Sequence, residues 1–176
     1  MEAKQLAIFP IFADMDPARL EQIAAAGHIL PMTPSEILFR MSEPAHFLYG
    51  VMEGEVSLAL TLVEKKVKTE ITYEEAIHSK TEVREREIEV DTVGAGELFG
   101  WSAMINQGRW TSTARCLRTG RFFSLPTDVL KTHCEADTAL GYRFMGRLNE
   151  IIATRLQHRT ERLIEAWGEA FEVGRM

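Results

Sequence analysis

The chain has little cysteine, little one-sided charge and no long apolar run, and each scarcity excludes something. There are 2 cysteines in 176 residues, Cys116 and Cys134, too few and too unpatterned for a disulfide framework or a zinc ribbon. They read as reduced thiols of a cytoplasmic protein. The net charge is −6 and the isoelectric point is near 5.4, so the chain as a whole does not attract nucleic acid or anionic lipid. No apolar run reaches the ~20 residues that span a bilayer. The N-terminus lacks the basic stretch and apolar core of a signal peptide. His28, His46, His78, His133 and His158 are scattered, with no H-x-H spacing and no metal set expected. No nucleophile elbow, phosphate loop or carboxylate pair is present, so no enzyme is expected.

With 45% hydrophobic and 26% charged residues, what remains is a soluble globular pattern in three parts. Residues 1–27 read as helical. Asp16 caps a helix opened by Pro17, Leu20, Ile23 and Ala24 share a face, and Gly27 stops it. Upstream, Leu6, Ile8, Phe9, Ile11 and Phe12 form an apolar cluster expected to dock on the main core.

From 28 to 125, short apolar runs alternate with turn residues, the signature of a compact sandwich or barrel. Glu53-Gly54-Glu55 reads as a hairpin turn between two strands. About 63–90 differs: Val67, Thr69, Ile71 and Tyr73 alternate with charge, and so does Glu85 to Asp91. Two strands joined around Ala76-Ile77-His78-Ser79 would form a long charged hairpin with a solvated face.

From 126 to 176 the period is helical. A short helix begins at Thr127-Asp128, and one long amphipathic helix runs uninterrupted from Arg147 to Trp167. Phe144, Met145, Leu148, Ile152, Leu156 and Leu163 give it more apolar length than a small β domain needs, which points to a homodimer helix. Its arginines are expected to pair with Glu150, Glu161 and Glu165 along the same helix.

Two stretches carry a resemblance. Phe47-Leu48-Tyr49-Gly50-Val51-Met52-Glu53-Gly54-Glu55-Val56 is one. The other is Gly94 to Met104, followed by Trp110-Thr111-Ser112-Thr113-Ala114-Arg115-Cys116. Together they resemble the strand pair and phosphate-binding cassette (94–116) of the cyclic-nucleotide-binding domains. The resemblance implies a mainly β fold: a jelly-roll or double-stranded β-helix (β-roll), with flanking helices, a cassette helix at about 99–105 and a long C-terminal helix. It implies a regulatory or sensor module, with a cyclic nucleotide or another small anion as ligand class and a protein partner or a second copy as output. The chain stops soon after the long helix, so no helix-turn-helix module and no direct DNA contact are expected.

The family's cassette has the form F-G-E-x-A-L, a gap, then R-[ST]-A. Phe99, Gly100, Ser102, Ala103, Thr111 and Ser112 fit its scaffold. Trp101 stands where the ribose-binding glutamate is expected, and Trp110 where the phosphate-binding arginine is expected. Arg109 reaches the phosphate position if it lies in a loop, and faces away if the segment is extended. Arg115 is a second candidate cation. The two tryptophans either wall a site for another ligand or fill the old pocket with hydrocarbon. Two lost charge-assisted hydrogen bonds remove roughly 3–6 kcal/mol of binding, on the order of 10²–10⁴ in affinity. Cyclic AMP in the usual pose is therefore not expected.

Overall fold

The computed structural model describes residues 1–13, 15–71, 77–105 and 108–173, with backbone alone for 64–71, 77–83 and 169–173. Helices α1 (Ala3–Ala7) and α2 (Pro17–Ala26) open the chain, with a 3-10 turn at Pro10–Phe12 between them. The α2 start follows the sequence: the Asp16 carboxylate accepts from the Arg19 amide at 3.0 Å and Pro17 occupies the first helical turn. Leu6, Phe9, Ile11 and Phe12 are buried, whereas Ile8, expected in that cluster, is 60% exposed.

Strands β1 (His28–Met32), β2 (Ile37–Phe39), β3 (Phe47–Ile71), β4 (Ile77–Gly94), β5 (Leu98–Phe99) and β6 (Thr113–Pro126) form one six-stranded sheet. Its order is β1-β6-β3-β4, with β2 on β6 and β5 on β3, all antiparallel. This is the β-roll that the resemblance implies, within the sandwich-or-barrel class that the punctuation of the sequence suggests.

Glu53-Gly54-Glu55 is not a hairpin turn. β3 runs straight through it, and the register against β6 slips between Val51 and Val56. The cause is a close backbone crossing. Gly54 has φ +92, and a Cβ on Gly120 would stand 2.0 Å from the Glu53 carbonyl oxygen. Glycines at a ladder irregularity bend and twist the strand without ending it.

The charged hairpin is present, pairing Glu55 with Gly94 through to Ile71 with Ile77. The join lies earlier than expected: Ile77, His78 and Ser79 belong to β4, opposite Ile71, Glu70 and Thr69. Tyr73 and Ala76 lie outside the described residues.

Helix α3 (Thr127–Ala136) and the 36-residue α4 (Thr138–Val173) close the chain. α4 begins at Thr138, where Asp137 caps it by accepting from the Leu140 amide at 3.0 Å. Gly141 sits where α4 passes α3 so closely that a Cβ would be 2.7 Å from the Cys134 carbonyl. Among the described residues no helix is long and apolar enough to cross a membrane.

Two apolar clusters divide the core. One packs the N-terminal helices, α3 and α4 on the roll through Leu6, Phe9, Phe12, Phe123, Phe144 and Leu148. Phe9 meets Phe123 edge-on at 4.8 Å between ring centres. The other fills the roll with Phe39, Tyr49, Val56, Phe99, Trp110 and Phe122. Burying side chains of this size stabilises by about 1.5–3 kcal/mol each, so α4 is tied to the roll by its first half.

That burial corrects the dimer-helix expectation. Phe144 and Leu148 are 1% and 0% exposed within their own protomer, and Ile152 is partly buried against the same cluster. Met145, Leu156 and Leu163 stay exposed. The helix has two apolar faces, and only the one turned toward the roll is covered.

Candidate functional site

β5 brings the cassette into register beside β3, pairing Phe99 with Tyr49 and Leu98 with Gly50. Phe99 stacks on Tyr49 with centroids 5.3 Å apart and planes at 18°. Gly100 then turns left-handed at φ +79, in a spot where a Cβ would press on Tyr49 and Trp110. The cassette helix is shorter than the expected 99–105. It is a single 3-10 turn, Trp101–Ala103, closed by the Met104 amide donating to the Trp101 carbonyl at 2.8 Å. Ser102 Oγ and Thr111 Oγ1 face each other at 3.2 Å across its mouth. Ala103 and Ser112 are buried.

The second half of the cassette is pinned by the 40–45 turn. Ser42 N–H donates to the Trp110 carbonyl at 2.8 Å, Trp110 N–H to the Glu43 carbonyl at 2.9 Å, and Ala45 N–H to the Gly108 carbonyl at 2.7 Å. This clamp decides the register of Arg109 and Trp110. Trp110 points inward, 5% exposed, stacked on Phe39 at 3.9 Å and 16°. Arg109 points outward and donates to the Ser42 carbonyl at 2.6 Å. The segment is bridged like a strand at Pro44 and Arg109, so the one-residue shift turns the guanidinium away.

Arg115 is also engaged elsewhere, 2.9 Å from Glu87 on β4 and bonded to the Ser35 carbonyl. Trp101 is half-buried, packed toward the helix-side cluster. Both indoles border one narrow void. What is left between Phe39, Leu58, Gly100, Trp101, Trp110 and Arg159 is a void of about 10 Å³, room for one water at the limit.

Burial pushes the Tyr49 phenol up to about 12, because the ring lies inside the aromatic stack where a phenolate would be desolvated. The cassette floor is aromatic, built by Phe39, Tyr49, Phe99 and Trp110.

Charged groups gather at the seam with α4, and one of them, Arg159, also lines the cassette void. Arg155 is buried and donates to Asp91 at 3.1 Å and to the Thr92 carbonyl at 2.9 Å, with Glu97 at 3.1 Å. Arg159 approaches Asp91 at 3.9 Å, and neither Arg159 Nε nor Asp91 Oδ2 has a hydrogen-bond partner. Arg162 lies 3.9 Å from Glu89. Three α4 arginines thus reach across to the sheet side rather than along their own helix, correcting the intrahelical expectation. The sequence held a signal for Arg155. It follows Leu148 and Ile151 by seven and four residues, on the helix face that is buried.

Among the described residues no group of three His, Cys, Asp or Glu side chains is placed to hold a metal.

The architecture is shared with solved structures. A Geobacter metallireducens GS-15 protein assigned as cyclic nucleotide-binding is similar at TM-score 0.67 and 22% identity, covering 89% of this chain and 98% of its own. The sensor domain of the transcriptional regulator DNR from Pseudomonas aeruginosa is similar at 0.64 and 15%, covering 85% and 91%. The cyclic-di-GMP-responsive regulator CLP from Xanthomonas campestris is similar at 0.60 and 19%, covering 84% and 63%. No curated protein matches the sequence. The cyclic nucleotide-binding domain family matches residues 30–137, which takes in the roll, the cassette and α3, and the chain belongs to that family.

Proposed function

We propose that the chain is a regulatory module of the cyclic nucleotide-binding type whose cassette does not take a cyclic nucleotide in the usual pose. Its output is carried by α4, through a homodimer or a docked protein partner. The observation that carries this reading is Trp110, stacked on Phe39 in the place of the phosphate-binding arginine, with about 10 Å³ left beside it. Arg109 and Arg115, the two replacements open to it, are both bonded elsewhere. Neither DNA nor membrane is a partner in this reading.

The test is calorimetric titration with cyclic AMP, cyclic GMP and cyclic di-GMP up to millimolar ligand, with tryptophan fluorescence as a second readout. The expected result is no saturable binding. Micromolar binding with a change in indole emission overturns the reading, since it requires Trp110 to leave the pocket.

One observation favours a second reading, a sensor of a small anion. Arg159 lines the mouth of the void with Ser102 and Thr111, and its Nε is buried without a hydrogen-bond partner. A thermal shift with phosphate or sulfate that disappears in Arg159→Met would favour it; no shift leaves the dimerisation module standing.

A further inference from the structure

A pocket separate from the cassette opens where the N-terminal 3-10 turn, the loop before β5 and α4 meet. Its volume is about 240 Å³, the room of roughly eight waters. None of its lining residues lines the cassette void. Ile11 and Leu98, each 3% exposed, and the partly buried Ile151 give it an apolar floor. The loop leaves the entrance clear, because a Cβ on Gly96 would meet nothing within 4 Å.

Three charged side chains line the pocket: Glu97, Glu150 and Arg155. Arg155 is spent on Asp91 at 3.1 Å, the Thr92 carbonyl at 2.9 Å and Glu97 at 3.1 Å. Glu97 is spent as well, since its other oxygen accepts from the Gly94 amide at 2.6 Å. The Thr154 hydroxyl donates to the Glu150 backbone carbonyl at 3.0 Å and brings no free donor. Glu150 differs. Among the described residues its carboxylate has neither a hydrogen bond nor an ion pair. Arg147, on the preceding turn of α4, donates to the Pro10 carbonyl.

Two carboxylates and one guanidinium leave the pocket one negative charge. An anionic ligand would have to pull Arg155 from its partners and face Glu150 as a like charge. A neutral ligand would desolvate Glu150 without pairing it. A cation with an apolar body meets both needs, hydrocarbon on the floor and a charge-assisted hydrogen bond at the rim.

We propose that this pocket binds a small lipophilic amine, one ring or a short apolar body carrying a single ammonium. The ammonium pairs with Glu150, and the hydrocarbon lies on Ile11, Leu98 and Ile151. Such a ligand touches all three segments at once, so its occupancy fastens α4 to the roll. The site goes beyond the reading above and does not depend on what the cassette takes.

Phenethylamine is the probe, with phenylpropionate and phenethyl alcohol as anionic and neutral counterparts of similar size. Amide chemical shifts of the full, isotopically labelled chain follow each titration up to millimolar ligand. The expected result is saturable shifts at Ile11, Gly96 to Leu98 and Glu150 to Arg155 with phenethylamine, and weaker binding of both counterparts. Glu150→Gln should weaken phenethylamine at least threefold, and Thr154→Trp, which sets an indole in the pocket, should abolish its binding. Both positions are exposed, and far-UV circular dichroism checks that each variant folds. No saturable shift, shifts centred on Gly100, Thr111 and Ser112, equal binding of phenylpropionate, or wild-type affinity in Glu150→Gln each overturns the inference. Hydrogen exchange tests the fastening: amides of α4 from Glu150 onward should exchange more slowly with the probe bound, and unchanged exchange refutes it. The cyclic-nucleotide titration tests the cassette separately, so the two readings fail on different results.

Discussion

Arg155→Met is the change that most directly tests how α4 is fastened to the roll. It removes a buried cation from Asp91, itself 5% exposed, and from Glu97, which is half-exposed. Stripping one partner from a buried ion pair costs about 3–5 kcal/mol, because the remaining charge is left desolvated. Three features place this case at the lower end. Asp91 Oδ1 keeps the Thr92 amide at 2.9 Å, Arg159 stays 3.9 Å away, and Glu97 falls back on water. Against them, Asp91 Oδ2 already lacks a hydrogen bond, which leaves it to the Arg159 guanidinium at 3.9 Å. The expected cost is about 3 kcal/mol. For a domain of this size that lowers the melting temperature by roughly 6–12 °C. Calorimetric and circular-dichroism melts measure it, at constant protein concentration so that dimer dissociation does not mix in. Asp91→Leu combined with Arg155→Met should recover part of the loss, since an apolar pair avoids both desolvation terms. A cost under about 1 kcal/mol, the value of a solvent-screened pair, would refute the claim that this seam is buried and holds α4.

Two other expectations follow from the aromatic floor of the cassette. Trp110→Ala removes the indole stacked on Phe39 and should cost about 3–5 kcal/mol in urea unfolding; a cost near zero would mean that the ring does not fill the roll. Tyr49 gives the fold an alkaline limit. Its phenol is raised from 10 to about 12 in the folded chain, so above pH 10 the unfolded state loses its proton first and stability falls as pH rises. The loss is complete near pH 12 and amounts to at most about 2.7 kcal/mol. Tyr49→Phe should flatten that limb, and an unchanged alkaline limb in the variant would locate the effect elsewhere.

Much of this architecture is legible in local chemistry. Asp16 and Pro17 announce α2 because capping and a fixed φ act within one turn. The alternation of charge along Glu85 to Asp91 announces β4 because strand period is a local property. The F-G-x-x-A pattern of the cassette, with Trp101 inside it and Trp110 after it, is likewise visible in the residues themselves. Local cues failed where two distant segments meet. Gly54 reads as a turn by composition, yet Gly120 approaching from β6 makes it a bulge in a continuous strand. Phe144 and Leu148 carry the same helical period as Leu156 and Leu163, and nothing in that period says which turn of α4 is covered by the N-terminal helices.

Residue type at short spacing carries the family and the kinds of elements, and it places Trp101 and Trp110 in the cassette. The tertiary structure alone decided three things. The 40–45 turn clamps the chain so that Trp110 fills the roll and Arg109 faces out. Arg155 leaves its own helix's glutamates for Asp91 on β4. The second half of α4 runs beside the hairpin, with a trough between them lined by Leu60, Ile88 and Leu163 and by Glu89, Arg159 and Arg162. Each is a meeting of segments tens of residues apart, fixed by shape and desolvation rather than by any pattern a single stretch of chain can carry.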